Sequence, residues 1–265
     1  MKPINFVAVL FCTLSVSAVC QQNLLDRTLC DSGCLLPPSG LVGWWPGDSN
    51  AKDIQLGNNG TLVNGVTFAP GLVKQSFVFD GVNDFITVPD TPALHAVRTA
   101  VTVDAWIKPE VPPPGDGWIF SRRDPLITES IGVGVNSGGF FYGVLQTDVL
   151  TVVASTVPVV EFDGKWKHVA LTVDIATNRI ALYVNGTEVS QNLVEGSSSL
   201  SGQFADASHL FFGQRQDSDT VEGEVGAAHY KGLIDELELY NRALRASEIR
   251  AIYAVGAKGK CKGRA

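Results

Sequence analysis

Asp235 is the residue whose surroundings point most directly to chemistry. It lies in the segment Leu-Ile-Asp-Glu-Leu-Glu-Leu at 233–239. In a strand, alternate side chains face opposite sides of the sheet, so strict alternation places the Asp235 carboxylate on the core face with three leucines. A buried carboxylate without a partner is very costly. The sequence therefore predicts a cation near Asp235, a salt bridge to Arg242, or backbone N–H donors at a strand end.

A second acidic segment lies between two predicted strands. Residues 214–229 contain four acids and one arginine: Asp217, Asp219, Glu222, Glu224 and Arg215. Such a segment is either a solvated acidic loop or a rim loop that holds calcium or sugar hydroxyls. No EF-hand frame, P-loop, dinucleotide fingerprint or zinc spacing occurs in the sequence. His168 alternates with Trp166 and Ala170, and we predict a hydrogen-bonded structural histidine.

The composition favours strands as the elements that position these residues. The chain has 265 residues, 45% of them hydrophobic and 18% charged, which suits a globular core. Its 27 Gly and 13 Pro, with many Val and Thr, are typical of strands joined by turns. The net charge of −7 argues against a nucleic-acid-binding surface. No internal apolar stretch approaches the ~20 residues needed to span a bilayer.

Short strand-like runs recur from Leu41 onward, separated by Gly, Asn, Asp and Pro. Asn185-Gly186 between two such runs predicts a hairpin turn. One helix is expected near the end of the chain, capped by Ser247 and ended by Gly256. Many strands without alternating helices favour a sandwich over a parallel α/β sheet. The predicted strands are 41–45, 61–68, 77–80, 85–88, 101–108, 117–121, 131–135, 140–146, 150–155, 166–173, 179–184, 187–189, 209–213 and 230–240.

The N-terminus has the pattern of an export signal. Lys2 precedes an apolar run from Ile4 to Val19 that has small residues at its end, and an uncleaved anchor is the alternative. We assign residues 1–20 to a signal peptide, 21–40 to a lead-in segment, 41–256 to one domain and 257–265 to a C-terminal tail. The protein is therefore predicted to be secreted, periplasmic or on the cell surface.

Export would permit disulfide bonds. Cys34 and Cys261 flank the patterned region, and a bridge between them would tie the two ends of the domain together. Cys30 is left with several possibilities: it pairs with Cys20 if that residue is retained, competes with Cys34, or stays free. Asn59 and Asn185 also fit glycosylation sequons, which matter only in a eukaryotic secretory pathway.

A set of short motifs covers nearly all of 41–256. They are Leu41-Val-Gly-Trp44-Trp45-Pro-Gly-Asp48, Gly57-Asn-Asn-Gly60, Phe77-Val-Phe-Asp80-Gly81, Val101-Thr-Val-Asp-Ala-Trp106, Trp166-Lys-His168, Leu182-Tyr-Val-Asn185-Gly186, Gly232-Leu-Ile-Asp235-Glu236 and Asn241-Arg242-Ala243-Leu244. Each motif is weak alone, but in this order they resemble the laminin-G-like jelly-roll domains of the concanavalin A-like lectin/glucanase group. The resemblance implies an all-β fold, a two-sheet antiparallel jelly-roll sandwich with one short C-terminal helix.

The resemblance also implies a structural calcium ion, because relatives use an aspartate on the final long strand as a metal ligand. Asp235 would be that ligand, with oxygen atoms of Asp48, Asp80 and a backbone carbonyl near Gly81 completing the site. Four tryptophans lie in the shared strand motifs and are expected in the core or on a sheet face. Trp118, which follows a Pro-Gly-rich loop, is the predicted aromatic contact for a ligand.

A non-catalytic extracellular binding or adhesion module, most simply a carbohydrate-binding one, is the function that the resemblance implies. Glucanases of the group resemble the pattern Glu-x-Asp-x-x-Glu on one strand. Here Leu233 occupies the position of the nucleophilic glutamate. On a regular strand Glu238 faces the opposite side from Asp235, so the pair of catalytic carboxylates is missing. The alternatives are a structural or protein–protein interaction domain of the envelope or matrix and, third, a glycan hydrolase or lyase. The expected partner is a glycan or a cell-surface protein.

Overall fold

A computed structural model describes residues 33–110, 112, 116–123, 129–147, 151–189, 200–204, 208–215 and 229–263. These residues form two antiparallel sheets, one short α-helix and single 3₁₀ turns at Leu94–Ala96 and Gly256–Lys258, which confirms the predicted sandwich. The predicted signal peptide lies outside the described residues, as does most of the acidic segment at 214–229. In the described part of the chain, no helix is both long and apolar enough to cross a membrane.

The larger sheet has eight strands among the described residues. At one edge of this sheet, three strands that are consecutive in the chain pair with one another as a meander. The long final strand lies near the centre of the sheet. The spatial order is β13 (Thr187–Glu188), β12 (Arg179–Val184), β11 (Lys167–Asp174), β6 (Ala100–Pro109), β15 (Lys231–Tyr240), β4 (Gln75–Asp80) and β3 (Thr67–Pro70), with β1 (Leu41–Trp45) also paired to β15.

The smaller sheet has seven strands in the described ranges. Their order is β10 (Thr151–Pro158), β9 (Phe140–Gln146), β8 (Glu129–Asn136), β7 (Asp116–Arg123), β14 (His209–Phe212), β5 (Phe85–Val88) and β2 (Thr61–Val63). The single strand predicted at 61–68 is therefore two strands, one in each sheet. Asn64, with a φ of 60°, turns the chain between them.

The predicted hairpin at 179–189 is confirmed. Asn185 and Gly186 have φ values of 50° and 73°, as the favoured two-residue turn requires at both central positions. Val169 pairs with Val184 and Asp174 pairs with Arg179, so β11 and β12 are in register over their full shared length. This register fixes which side chains of the two strands share a face.

Apolar residues from both sheets fill the space between them, including Ile234, Leu237 and Leu239 of β15. A second apolar cluster covers the outer face of the larger sheet, where the helix α1 (Ala246–Val255) packs through Ile249 and Ile252. The N-cap of α1 is Arg245, so the prediction that Ser247 caps it is wrong; the carboxylate of Glu248 accepts the Arg245 N–H at 2.8 Å. Gly256 ends the helix as predicted.

The predicted disulfide between Cys34 and Cys261 is confirmed, with the two Cα atoms 5.1 Å apart. The flanking backbone also pairs: Leu35 N–H donates to the Gly259 carbonyl at 3.1 Å, and Cys261 N–H donates to the Leu35 carbonyl at 2.8 Å. Residues 259–262 are thereby held against the domain beside its first strand, and this position delivers Lys260 and Lys262 to the outer face of the larger sheet.

Candidate functional site

A bulge in β15 changes the expected direction of Asp235. The register with β6 shifts between Asp235 and Glu238, and Glu236 has a φ of 52°. Asp235 lies opposite Trp106, whereas Ile234 and Leu237 lie in the core between the sheets. Cross-strand partners share a face. The carboxylate therefore points to the outer face of the larger sheet. The prediction that it shares the core face with Leu237 and Leu239 is wrong, because the extra residue breaks strict alternation.

The partner of Asp235 is a backbone N–H. Its Oδ2 accepts a hydrogen bond from Val73 N–H at 2.8 Å, as one of the predicted alternatives required. Arg242 instead binds Glu248, with guanidinium nitrogens 2.9 and 2.6 Å from the two carboxylate oxygens, so the predicted salt bridge to Asp235 is wrong. Burial raises the pKa of Asp235 to about 8.

The four residues predicted to bind calcium do not come together. Asp48 accepts the Gln75 N–H at 3.3 Å, beside the start of β4. Asp80, at the other end of β4, accepts the Val82 N–H at 2.7 Å, and Gly81 follows it. A strand advances about 3.4 Å per residue, so roughly 17 Å separates the two ends. These residues therefore do not fit one shared ion.

Among the described residues, no group of three or more His, Cys, Asp or Glu side chains is placed to hold a metal ion. Calcium binding stays a prediction, to be tested by melting the protein with and without a chelator.

Charged side chains do cluster on the outer face of the larger sheet, near Trp44. We call Asp48, Glu236, Glu238, Lys260 and Lys262 the carboxylate–lysine cluster. The Lys262 Nζ lies 2.7 Å from Glu236 and 2.8 Å from Asp48, and the Lys260 Nζ lies 2.9 Å from Glu238. Burial acts to lower the pKa of both lysines, but the neighbouring carboxylates outweigh it and raise the pKa, so both ammonium groups stay charged.

The two glutamates of this cluster are not arranged for glycoside hydrolysis. Glu236 is 1% exposed and Glu238 is fully buried. Glu236 also accepts from the Trp44 indole, and Glu238 accepts from the Tyr240 hydroxyl at 2.5 Å. A glycosidase needs its two carboxyl groups on either side of the bond to be cleaved. As positioned, neither glutamate can reach a substrate.

Trp118 has the opposite environment to the one predicted for a ligand contact. It lies in β7, is 2% exposed and packs edge-on against Tyr142 at a centroid distance of 5.2 Å. Its ring lies next to Gly132, where an added Cβ would collide with the indole. The guanidinium of Arg215 lies 5.2 Å from the ring centroid. The missing side chain at Gly132 gives the ring room to fold onto the sheet.

The structural prediction for His168 is confirmed. The side chain is fully buried, and its Nε2 lies 3.2 Å from Asp104 Oδ2. Trp44, Trp45 and Trp106 are buried, as the shared strand motifs predicted, while Trp166 is half-buried.

An open cavity of about 300 Å³ lies on the outer face of the larger sheet, between the β11–β12 hairpin and the chain entering α1. Sequence reasoning missed it because its walls come from two segments about 60 residues apart. Its polar lining residues are Thr172, Asp174, Thr177, Arg179, Tyr183 and Arg245. We call these residues the polar pocket.

Neighbouring contacts fix the groups of the polar pocket. The Thr177 N–H donates to Asp174 Oδ1 at 3.2 Å. Arg179 and Tyr183 both approach Glu188, at 2.6 and 3.4 Å from its Oε2. Burial raises the pKa of Tyr183, which keeps its hydroxyl protonated. The pocket thus presents guanidinium and hydroxyl donors beside a carboxylate acceptor, a set suited to hydrogen-bonding a hydroxyl-rich ligand.

Comparison with known families identifies the fold. A family model described as the concanavalin A-like lectin/glucanases superfamily, Laminin_G_3, matches residues 80–250. A search of curated protein sequences gives no match.

Solved structures resemble the chain at 18–21% identity. Domain 4 of AbnA, an extracellular GH43 arabinanase from Geobacillus stearothermophilus in complex with arabinotriose, is 21% identical, with a TM-score of 0.53, over 79% of this chain and 96% of that one. A Trypanosoma rangeli sialidase is 20% identical, with a TM-score of 0.58, over 83% of this chain and 33% of the sialidase. The binding domain of Paraclostridial Mosquitocidal Protein 1 is 18% identical, with a TM-score of 0.59, over 81% and 52%. This chain thus spans a third of the sialidase and half of the toxin domain, and the likeness shows the fold alone.

Proposed function

The chain belongs to the laminin-G-like family of the concanavalin A-like lectin/glucanase superfamily, and from this premise we propose that it is an exported, non-catalytic carbohydrate-binding module. Function on such a fold depends on a site that must be argued residue by residue. The polar pocket is the observation that carries the proposal.

The size and lining of the polar pocket suit one sugar unit. Its volume of about 300 Å³ lies at the lower end of the ~300–1,000 Å³ typical of small-molecule sites. Asp174 can accept from sugar hydroxyls, and Arg179 and Arg245 can donate to them. A pocket of this size would hold one unit at a chain end or side branch.

Two further observations support the proposal. The arabinanase domain that shares this fold is bound to a trisaccharide. The glutamates on β15 are buried and paired with lysines, which supports a binding role over catalysis. Export is supported by the N-terminal pattern and by the Cys34–Cys261 disulfide, because disulfides persist in oxidising compartments.

The proposal is tested by a glycan array on the protein produced by secretion, run with calcium and again with a chelator. We expect binding to one glycan class. An Arg179→Gln/Arg245→Gln variant should weaken that binding at least about tenfold, the loss of roughly one charged hydrogen bond. Arg250→Gln is the matched control, because Arg250 is exposed on α1 and outside the pocket.

Each result has a distinct meaning. Binding that persists unchanged in the double variant would place the glycan elsewhere on the sandwich. Binding that disappears with chelator would put a calcium ion beside the ligand. No binding under either condition would contradict the carbohydrate proposal and favour a protein-interaction or structural domain.

A further inference from the structure

We propose that the ammonium group of Lys262 is the resident cation of the carboxylate–lysine cluster, and that it takes the place of the calcium ion predicted for Asp48 and the aspartate of the final strand. The cluster would then be a cation site that the chain fills from its own C-terminal segment. This inference does not depend on carbohydrate binding.

The geometry around Lys262 is that of a shared cation. Its Nζ lies 2.8 Å from Asp48 Oδ2 and 2.7 Å from Glu236 Oε1. These carboxylates come from the loop after β1 and from the middle of β15, so they converge on one nitrogen from distant parts of the chain. The contact with Asp48 is a charge-assisted hydrogen bond, and the contact with Glu236 is a close ion pair.

Two features of the backbone bring the three groups together. The bulge in β15 gives Glu236 a φ of 52° and places its carboxylate at Trp44, whose Nε1 donates to it at 3.0 Å. The disulfide at Cys261 fixes the residue directly before Lys262. A tethered ammonium of this kind costs less ordering entropy than a flexible lysine would, because its backbone is already held.

Trp44 adds a second recognition element for the ammonium groups. The Nζ atoms of Lys260 and Lys262 each lie 5.8 Å from the centroid of its ring. A cation over an indole face is attracted by the ring quadrupole. A calcium ion would gain less from the indole face than an alkylammonium group does, since calcium is coordinated by oxygen atoms.

The local charges are already balanced by lysines. Lys260, with a side chain 2% exposed, neutralises Glu238, and Lys74 approaches Asp48 at 3.5 Å from the solvent side. Asp235 lies outside this cluster; its Oδ2 accepts the Val73 N–H, and its Oδ1 is buried without a hydrogen-bond partner. A calcium ion at Asp48 would have to displace Lys262 and leave its ammonium without a carboxylate.

The first test removes the ammonium group and keeps the side-chain stem. Lys262→Met should gain a calcium-dependent rise in melting temperature of about 2–4 °C relative to the shift of the wild type, because a site that binds only the folded state stabilises it. Lys262→Arg, which keeps the charge, should gain nothing. Adding Glu236→Gln to Lys262→Met should remove the gain.

Two outcomes of these melts would overturn the inference. One is a Lys262→Met protein with no calcium-dependent gain. The other is a calcium shift in the wild type that Glu236→Gln abolishes, since metal would then already occupy the cluster.

A measurement on the unmodified protein covers the case in which Lys262→Met does not fold. In acetylation mapped by mass spectrometry, Lys262 should react at least about tenfold more slowly than the exposed Lys52, because its side chain is 18% exposed and its ammonium is held by two carboxylates. Calcium should not change this rate. Faster labelling of Lys262 in calcium would show that the metal displaces the ammonium and would reject the proposal.

Discussion

The indole Nε1 of Trp44 donates a hydrogen bond to Glu236 across 192 residues of sequence, at 3.0 Å. The contact joins the first strand to the bulge of the last long strand on the outer face of the larger sheet. It orients Glu236 toward Lys262, while Leu237 and Leu239 of β15 lie on the core face. One bulged residue thus separates a charged, lysine-paired surface from an apolar interior.

Removal of the disulfide should destabilise the domain. Cys34→Ser or Cys261→Ser is expected to lower the free energy of unfolding by about 2–5 kcal/mol, because the open chain regains the freedom that closing a long loop removes. Denaturant titration without reductant measures the loss.

The cysteine prediction has a direct control. Cys30→Ser should leave the free energy of unfolding unchanged if Cys34 and Cys261 pair as in this structure. Peptide mapping without reductant should recover a cross-linked Cys34–Cys261 peptide, and its absence would rule out the bridge.

Gly132→Ala should damage the smaller sheet. An added Cβ would meet the Trp118 ring at 2.4 Å, and the covering aromatic pair would have to move. We expect the free energy of unfolding to fall by about 1–3 kcal/mol, as for other overpacking changes. Gly263→Ala is the matched control, since nothing lies within 4 Å of its added Cβ. Equal stability of the two variants would contradict the placement of Trp118.

Glu248 should contribute stability that depends on pH. Its hydrogen bonds with Arg242 lower the pKa of its carboxyl in the folded state. A lowered folded-state pKa stabilises the fold above the unfolded pKa of about 4.3, and this contribution is lost as pH falls through the folded value. Because the side chain is partly exposed, we expect Glu248→Gln to cost no more than about 1 kcal/mol at pH 7.

Thermal melts of Glu248→Gln and wild type over an acidic pH series measure this effect. The two proteins should differ at neutral pH and converge in acid. Glu110→Gln, at an exposed position, should follow the wild type throughout. A difference between Glu248→Gln and wild type that persists below the folded pKa would mean that the contact is not electrostatic.

Most of the fold could be predicted from the sequence, because turn chemistry and residue alternation act locally. Asn185-Gly186 predicted the hairpin turn because both residues tolerate positive φ. The strand predicted at 140–146 has the same bounds in the structure. The pairing of Cys34 with Cys261 also followed from their positions at the two ends of the pattern.

The tertiary structure decided the orientation and the partners of the charged residues. Strict alternation predicted that Asp235 shares a face with Leu237 and Leu239, but the bulge at Glu236 puts them on opposite faces. No local sequence signal predicts this bulge. Lys262 meets Asp48 and Glu236 only because the folded C-terminal segment lies beside β1. The polar pocket likewise joins a hairpin to the start of a helix. Such contacts depend on chain packing between distant segments, which spacing along the sequence does not encode.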